Sequence, residues 1–369
     1  GAPPGIKGIS LFVVPKKRPD KAGGLVPNDV TCIGIYHKLG YRGAPITQFA
    51  LGDSDDCRGW LVGEPHAGLR CMFQMMNEAR IDVGMGAAAI ASAAYYASLE
   101  YCRQRLQGRP VAGKDPLAPQ VPIIDHADIK RMLLFQRAVV EGSLALIFQC
   151  ASYVDLALVT EGEEKERCEL LLDLLTPVAK RYPSEMGILS VSQGLQCLGG
   201  YGYCDEFPLE QYYRDVRIHP IHEGTTGIQG MDLLGRKVVM KNGKAFFLYL
   251  AELEKAVAAG RAVPECAPAA EALAAAAAEL KEVTGSLTGL ALKGEIELFL
   301  ADGTLYLEFF GTVAIAWQWL LQAIASAKAL AETPAVQDVP FYRGKIQTCR
   351  YFFAYELPKI RGLAARLKE

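Results

Sequence analysis

Apolar residues recur at helical spacing over most of the chain after Gly68, and this periodicity constrains the fold more than any other feature of the sequence. Long patterns cover residues 69–101, 127–158 and 163–198, and another begins at Thr226. Further helical patterns lie near residues 270–298, 303–330 and 340–366. Because each helix would bury an apolar stripe against its neighbours, the sequence predicts a bundle of long helices.

Residues 1–62 follow a different pattern, in which short apolar runs are separated by clusters of Gly, Pro and Asp. The runs typical of strands are 8–15, 31–36, 47–51 and 59–62. These are too few strands for a comfortable closed sandwich. We therefore expect a sheet that begins upstream of residue 1, in a longer chain of which this sequence, which opens without an initiator Met, is a piece. The predicted fold class is multidomain α+β.

The helical part divides once more near residues 262–284, which are rich in Ala and Glu. Pro264 and Pro268 in this segment indicate a linker that runs into a helix. The predicted domains are thus a β-rich part, a long-helix domain and a C-terminal helical extension. Their predicted boundaries are 1–62, 63–255 and 256–369.

The stretch from Leu305 to Ala327 is apolar enough to raise the question of a membrane span. Glu308, Gln318 and Gln322 interrupt it, whereas a span needs about 20 residues with few polar ones. A buried bundle helix is therefore favoured, and no stable membrane insertion is expected. A membrane-surface role for this face is the alternative.

Charge and cysteine usage narrow the classes of partner. The formal net charge of -2 and the sequence pI of about 6.3 give no electrostatic footprint for nucleic acid. No pair among the ten Cys has C-x-x-C spacing, so neither a zinc site nor a redox dithiol is indicated. His219 and His222 lie near Glu223, but no Cys or further carboxylate is grouped with them, and no metal site is predicted. We expect a reduced, cytoplasmic compartment.

A single carboxylate, Glu223, lies in a stretch that stops one helix and starts another. Pro220 cannot continue a helix, and Gly224 tolerates backbone angles that other residues resist. Thr226, followed three residues later by Gln229, matches a capping box. Glu223 is therefore expected on a short loop at the start of a helix. There it could be an acid held in a fixed direction, or an acid that merely favours the positive helix N-terminus.

Three glycines closely follow Leu198, where a predicted helix ends, and leave the backbone bare. Exposed N–H groups on such a loop can hold a phosphate. An ordinary glycine C-cap followed by a turn explains the same residues. Arg80 and Arg105 are lone arginines in apolar helical patterns, for which solvation or ion pairing is the default.

A glycine motif from Gly84 to Ala89 satisfies G-x-G-x-x-A. In a dinucleotide-binding fold this motif follows a strand, whereas here it falls inside a helical pattern. Close packing of helices through small residues is the better explanation.

In combination, five segments of the chain resemble the acyl-CoA dehydrogenase family of flavoproteins. Their order and separations match the second half of that family, and the pair Gln-x-Leu-Gly-Gly and Glu-Gly-Thr is specific. The β-rich part looks like the remainder of the family's middle β-domain. Residues 309–313 and 341–346 are similar to the C-terminal extension of larger members, nearest the branch of 3-methylmercaptopropionyl-CoA dehydrogenases. The five segments are 76–80, 101–108, 196–203, 214–217 and 223–229.

The resemblance implies an FAD-dependent enzyme of fatty acid metabolism that converts an acyl-CoA thioester to the trans-2-enoyl-CoA. Glu223 would be the catalytic base that removes the α-proton, while the β-hydride passes to flavin N5. This role requires its carboxylate to face a cavity. Arg80 would lie near the base, and Asn77, Arg80 and Gly224 would contact the substrate. The implied FAD contacts, some of them across a subunit interface, are Arg105, Gln196, Gly199, Gly200, Thr225 and Thr226.

Three positions depart from the family pattern and weaken individual cofactor contacts rather than the reaction class. His222 replaces the usual Tyr before the base, Gly227 stands where many members have Gln, and Ala127 stands where others have a flavin-contacting Gln.

The resemblance also implies a homodimer or larger assembly and an electron-transfer flavoprotein as partner. Two alternatives stay open. One is a flavoprotein of the same fold with a DNA-binding, alkylation-response role, which the Ala- and Glu-rich residues 250–300 disfavour. The other is a noncatalytic subunit of a heteromeric dehydrogenase, which the presence of Glu223 and Arg80 disfavours.

Overall fold

The computed structural model of the chain describes residues 1–110 and 117–369, apart from the side chains of Phe73, Gln74 and Asn77. By their contacts these residues form two compact units, Gly1–Ala79 and Arg80–Glu369. The three-part division of the chain at residues 62 and 255 stays a prediction.

The first unit contains six short strands that pair in three antiparallel ladders, β1 with β6, β2 with β3 and β4 with β5. Buried Asn28 joins the segments around them, because its amide donates to the carbonyls of Pro15 and Arg58, each at 2.8 Å. β2 and β3 escaped prediction because each is only three residues long and ends in proline, which leaves no apolar run of strand length. The strands are β1 (Leu11–Val13), β2 (Lys17–Pro19), β3 (Leu25–Pro27), β4 (Val30–Tyr36), β5 (Ile46–Leu51) and β6 (Trp60–Val62).

The rest of the described chain is mostly helical, and the predicted long helices are confirmed. Their ends lie close to the predicted ones because the apolar stripe stops where burial stops. The helices are α1 (Gly68–Gln104), α2 (Ala127–Val159), α3 (Gly162–Leu198), α4 (Leu209–Val216), α5 (Thr226–Asp232), α6 (Met240–Arg261), α7 (Ala267–Leu292), α8 (Ile296–Ala301), α9 (Gly303–Ala331), α10 (Val339–Tyr351) and α11 (Ile360–Lys368).

The predicted linker runs into its helix early in the segment 262–284, because α7 begins at Ala267, close to the predicted helical start near residue 270. Pro268 lies in the first turn of α7, where a helix does not need the missing N–H. The linker is therefore confined to the few residues after Arg261.

α9 is the buried helix predicted for the apolar stretch 305–327. Trp319 is fully buried and its indole N–H donates to the carbonyl of Ala138 on α2 at 3.0 Å. Phe310 stacks on Tyr249 of α6 with ring centroids 4.9 Å apart. Two described helices, α2 and α9, are long and apolar enough to cross a membrane, and 78% of the apolar window of α9 is buried inside the protein.

Close packing of small residues joins α1 to α3. Gly84 lies inside α1, as predicted, and a Cβ at this position would come 2.1 Å from the carbonyl oxygen of Ala179. That carbonyl has no helical donor, because Pro183, four residues later, lacks an N–H. Proline within α3 and glycine within α1 thus let the two backbones approach.

We predict that Gly84→Ala lowers the free energy of unfolding by about 2 kcal/mol. Overpacking costs roughly 1–3 kcal/mol and here outweighs the ~1 kcal/mol gain in helix propensity. Gly285→Ala on α7 is the matched control, since a Cβ there meets nothing within 4 Å and should stabilise the protein. Urea denaturation of both variants measures the difference. Equal stability of the two variants would contradict the close approach of α1 and α3.

Candidate functional site

Glu223 lies on the loop between α4 and α5, and its backbone is left-handed. Glu223 has φ +53° and Gly224 has φ +88°. A left-handed conformation costs a residue other than glycine of order 1 kcal/mol, so the surroundings must hold it. We call residues 219–225 the Glu223 loop.

Two buried side chains hold the Glu223 loop through its carbonyl groups. Lys180 Nζ, from the middle of α3, donates to the carbonyl oxygens of His219 at 2.6 Å and Gly224 at 2.8 Å. Gln229 Nε2, from α5, donates to the carbonyl oxygens of Glu223 and Gly224, each at 3.2 Å. The loop conformation is thus fixed from within the protein.

The start of α5 differs from the predicted capping box by one residue. Thr225, not Thr226, is the N-cap, and its hydroxyl oxygen accepts from the N–H of Ile228 at 3.4 Å. Thr226 instead donates its hydroxyl to the Glu185 carboxylate on α3. The prediction failed because Gln229, which it paired with the cap, reaches back to the Glu223 loop.

The Glu223 carboxylate is exposed to solvent in the described chain, so the expectation that it faces a cavity is not met there. Arg80 is buried, and its guanidinium donates to the Asp232 carboxylate at 2.7 Å. This ion pair joins α1 to the end of α5. The roles of both residues in catalysis stay predictions.

Lys180 is the residue of this region that sequence reasoning missed. Its side chain is fully buried, and charges of Arg80, Glu185 and Glu223 act on it. Burial, and to a lesser degree the charge of Arg80, lowers the pKa of Lys180 from 10.5 to about 8, against the opposing effect of Glu185 and Glu223. Two adjacent basic residues, Lys180 and Arg181, within the mostly apolar stretch 174–182 were the available signal, of the kind that singled out Arg80.

A second group of predicted residues meets at the C-terminal end of α3. Arg105, Gln196, Gly199 and Gly200 line one pocket of about 530 Å³. Gly199 is the C-cap of α3, with φ +60°, so the cap interpretation of these glycines is correct. A Cβ on either Gly199 or Gly200 would meet nothing within 4 Å, so their backbone also faces open space.

The chemistry of this pocket suits an anion attached to a ring system. The Arg105 guanidinium lies 5.6 Å from the centre of the Tyr201 ring. Tyr101 meets Tyr201 edge-on at 6.5 Å between centroids. A fixed cation, open glycine backbone and aromatic walls can together bind a phosphate and a flat apolar group. Thr225, Thr226 and Glu223 are not among the residues that line it.

The structure gives little on two other predictions, the substrate contact of Asn77 and the absence of a metal site at His219 and His222. The side chain of Asn77 lies outside the described residues. Among the residues that the structure describes, no group of three or more His, Cys, Asp or Glu could hold a metal ion. His219 and His222 contact each other edge-on, with ring centroids 5.4 Å apart.

His219 gives the site a pH-dependent contribution to stability. It is buried, which lowers its pKa from 6.5 to about 4 against the opposing hydrogen bond to the Val216 carbonyl. Between these values the unfolded chain binds more protons than the folded one, so stability falls as the pH is lowered.

We predict that wild-type protein loses about 3 kcal/mol more unfolding free energy than His219→Asn between pH 7 and pH 4. Urea denaturation at the two pH values measures this difference. His37→Gln, at an exposed histidine, should follow the wild-type curve. Parallel pH curves for wild type and His219→Asn would contradict a buried neutral imidazole.

Comparison with known proteins gives two family matches. Residues 66–238 match the family described as acyl-CoA dehydrogenase, C-terminal domain. Residues 249–369 match the one described as acetyl-CoA dehydrogenase C-terminal like. An acyl-CoA dehydrogenase from Bacillus anthracis, in complex with FAD, superimposes with a TM-score of 0.70 and 20% identity over 93% of this chain and 58% of its own. The predicted fold class is therefore confirmed.

Two curated relatives cover nearly the whole chain. It is 38% identical over 360 residues to 3-methylmercaptopropionyl-CoA dehydrogenase of Ruegeria pomeroyi, covering 95% of this chain and 58% of that protein. It is 35% identical over 381 residues to a butyryl-CoA dehydrogenase of Syntrophomonas wolfei, covering 100% of this chain and 61% of that protein. The chain thus spans less than two thirds of the length of these relatives. It belongs to the acyl-CoA dehydrogenase family.

Proposed function

We propose that this chain supplies the catalytic base and part of the FAD site of an acyl-CoA dehydrogenase, which converts an acyl-CoA thioester to the trans-2-enoyl-CoA. The supporting observation is that four predicted cofactor residues from two separate segments, Arg105, Gln196, Gly199 and Gly200, line a single pocket. Arg105 directly follows α1, whereas the other three lie at the end of α3 and just after it, and only the folded chain brings the two segments together.

Glu223 removes the α-proton of the thioester in this proposal. Its carboxylate is exposed in the described chain, and the support for this role is that its backbone direction is fixed by the hydrogen bonds to the Glu223 loop. An α C–H is too weak an acid unless the thioester carbonyl is polarised, and the backbone N–H of Glu223 is the donor that we assign to that oxygen. Gly224 leaves the approach to the base open, and Arg80 and Asn77 complete the substrate contacts.

FAD, when bound, supplies the acceptor for the β-hydride. The pocket residues fit this group, because Arg105 and the bare backbone of Gly199 and Gly200 suit its pyrophosphate. Gln196 and the tyrosine rings suit its adenylate end. Thr225 and Thr226 would contact the flavin end from the Glu223 loop. The FAD complex of the Bacillus anthracis relative supports this assignment.

The proposal extends to partners and location. We propose a homodimer or larger assembly in which neighbouring subunits share the FAD site. We propose an electron-transfer flavoprotein as the electron acceptor. The proposed location is the cytoplasm, and the proposed role is in fatty acid metabolism. The two relatives named above act, by their names, on different acyl-CoA esters. The proposed substrate is therefore an acyl-CoA ester, and the length and type of its acyl group are left open.

We predict that Glu223→Gln keeps FAD bound and slows anaerobic bleaching of the flavin by acyl-CoA esters by ~10³-fold or more, since an essential base is removed. Stopped-flow absorbance with a panel of esters measures the rate. Glu297→Gln, at an exposed acid on α8, is the control and should bleach like wild type. Unchanged bleaching in Glu223→Gln would disprove the assignment of the base.

We predict that Arg105→Ala lowers FAD retention more than it lowers turnover of the flavin-loaded fraction, since it removes the cation of the pocket. Flavin absorbance per protein after gel filtration measures retention. Arg103→Ala is the matched control, because Arg103 is an exposed arginine of α1 that does not line the pocket. Equal flavin occupancy in wild type and Arg105→Ala would count against this cofactor site.

A further inference from the structure

A fully buried lysine, Lys180, lies in the middle of α3 and donates to backbone carbonyls on both sides of Glu223. The carbonyl of His219 precedes Glu223 by four residues, and that of Gly224 follows it directly. One ammonium group therefore ties the two ends of the Glu223 loop to the same point of α3.

The geometry of the Glu223 loop shows why it needs such a tie. Glu223 and Gly224 are consecutive left-handed residues, a conformation that Glu avoids when it is free to do so. A Cβ at Gly224 would come 2.6 Å from Gln229 Nε2, so only glycine fits beside this side chain. The carbonyl of Gly224 accepts two hydrogen bonds, one from Lys180 Nζ and one from Gln229 Nε2. Loss of either donor would let the loop relax and turn the carboxylate away.

Lysine suits this task by its chemistry. It carries three donors on a compact head, which can serve two carbonyls of one loop, whereas the planar guanidinium of Arg suits carboxylates and phosphates. Burial of a charge is costly unless the charge is well hydrogen-bonded. The charged groups that act on Lys180 are Glu185 on its own helix, Arg80 from α1 and Glu223 from the loop. Ser184 contributes no bond to Nζ, since its hydroxyl donates to the Lys180 carbonyl.

We propose that Lys180 is a positioning residue for catalysis: by holding the carbonyls of His219 and Gly224, it aims the Glu223 carboxylate at the substrate. This inference rests on the proposed function, with Glu223 as the base. Lys180 itself touches neither substrate nor cofactor. Its loss should therefore lower the rate of proton removal more than it weakens the binding of acyl-CoA and FAD.

The test compares Lys180→Met, which removes all donors, with Lys180→Gln, which keeps two N–H groups on a neutral side chain. Flavin-loaded protein is mixed anaerobically with an acyl-CoA ester that bleaches the flavin of the wild-type protein. We expect the rate constant of flavin reduction to fall about 10²-fold in Lys180→Met, with partial rescue in Lys180→Gln. The dissociation constant of the ester and the flavin content should change far less than this rate constant.

A second measurement does not depend on activity. Hydrogen exchange by mass spectrometry should show faster exchange across residues 220–227 in Lys180→Met, with intermediate exchange in Lys180→Gln. Lys237→Met is the matched control, because Lys237 is a second buried lysine whose hydrogen bond in the described chain goes to Asp173 at 2.9 Å instead of to the Glu223 loop. It should leave loop exchange and the reduction rate unchanged.

The outcomes separate this inference from the proposed function. If the flavin of the wild-type protein is not bleached, the proposed function is wrong. Faster exchange of the Glu223 loop in Lys180→Met would then still show that Lys180 holds this loop. Wild-type exchange and wild-type reduction in Lys180→Met would overturn the inference. Equal losses in Lys180→Met and Lys237→Met would also overturn it, since they would reflect general destabilisation. If Lys180→Met does not fold, Lys180→Gln decides by the same readouts.

Discussion

One buried positive charge in the middle of α3 fixes the region on which the proposed chemistry depends. The ammonium of Lys180 is out of water, and its two hydrogen bonds to backbone carbonyls help to offset the cost of its burial. Because those carbonyls flank Glu223, the same bonds set the direction of the acid. The same two hydrogen bonds therefore offset the burial of Lys180 and hold the backbone on both sides of Glu223.

α3 also sets the distance between the two groups of candidate residues. Lys180 and Gln196 are sixteen positions apart on one continuous helix, a rise of roughly 24 Å. The Glu223 loop is held at one point of this helix, and the pocket of Arg105 and Gly199 opens at its end. A rigid helix thus keeps the proposed base and the proposed adenylate pocket at a constant separation.

Ion pairs of two buried arginines join the neighbouring helices to this framework. The buried Arg80–Asp232 pair joins α1 to α5, and Arg181 joins α3 to α9 through the more exposed carboxylate of Glu308. Removal of one partner from a buried pair leaves an uncompensated charge and is strongly destabilising. The ion pair of Arg80 is therefore structural whatever its part in substrate binding, which agrees with the default interpretation of a lone arginine in an apolar helix.

From sequence alone the helical bundle and the family could be predicted, because apolar periodicity and short motifs are local properties of the chain. The sequence also placed Gly84 in a helix and Glu223 on a loop before a helix. What lies across from them depends on the folded chain. The N-cap is Thr225 rather than Thr226, with Gln229 bonding to the carbonyls of Glu223 and Gly224, and Lys180 holds a loop about forty residues away. Hydrogen bonds to backbone carbonyls depend on no side-chain identity in the partner, so no sequence pattern records them.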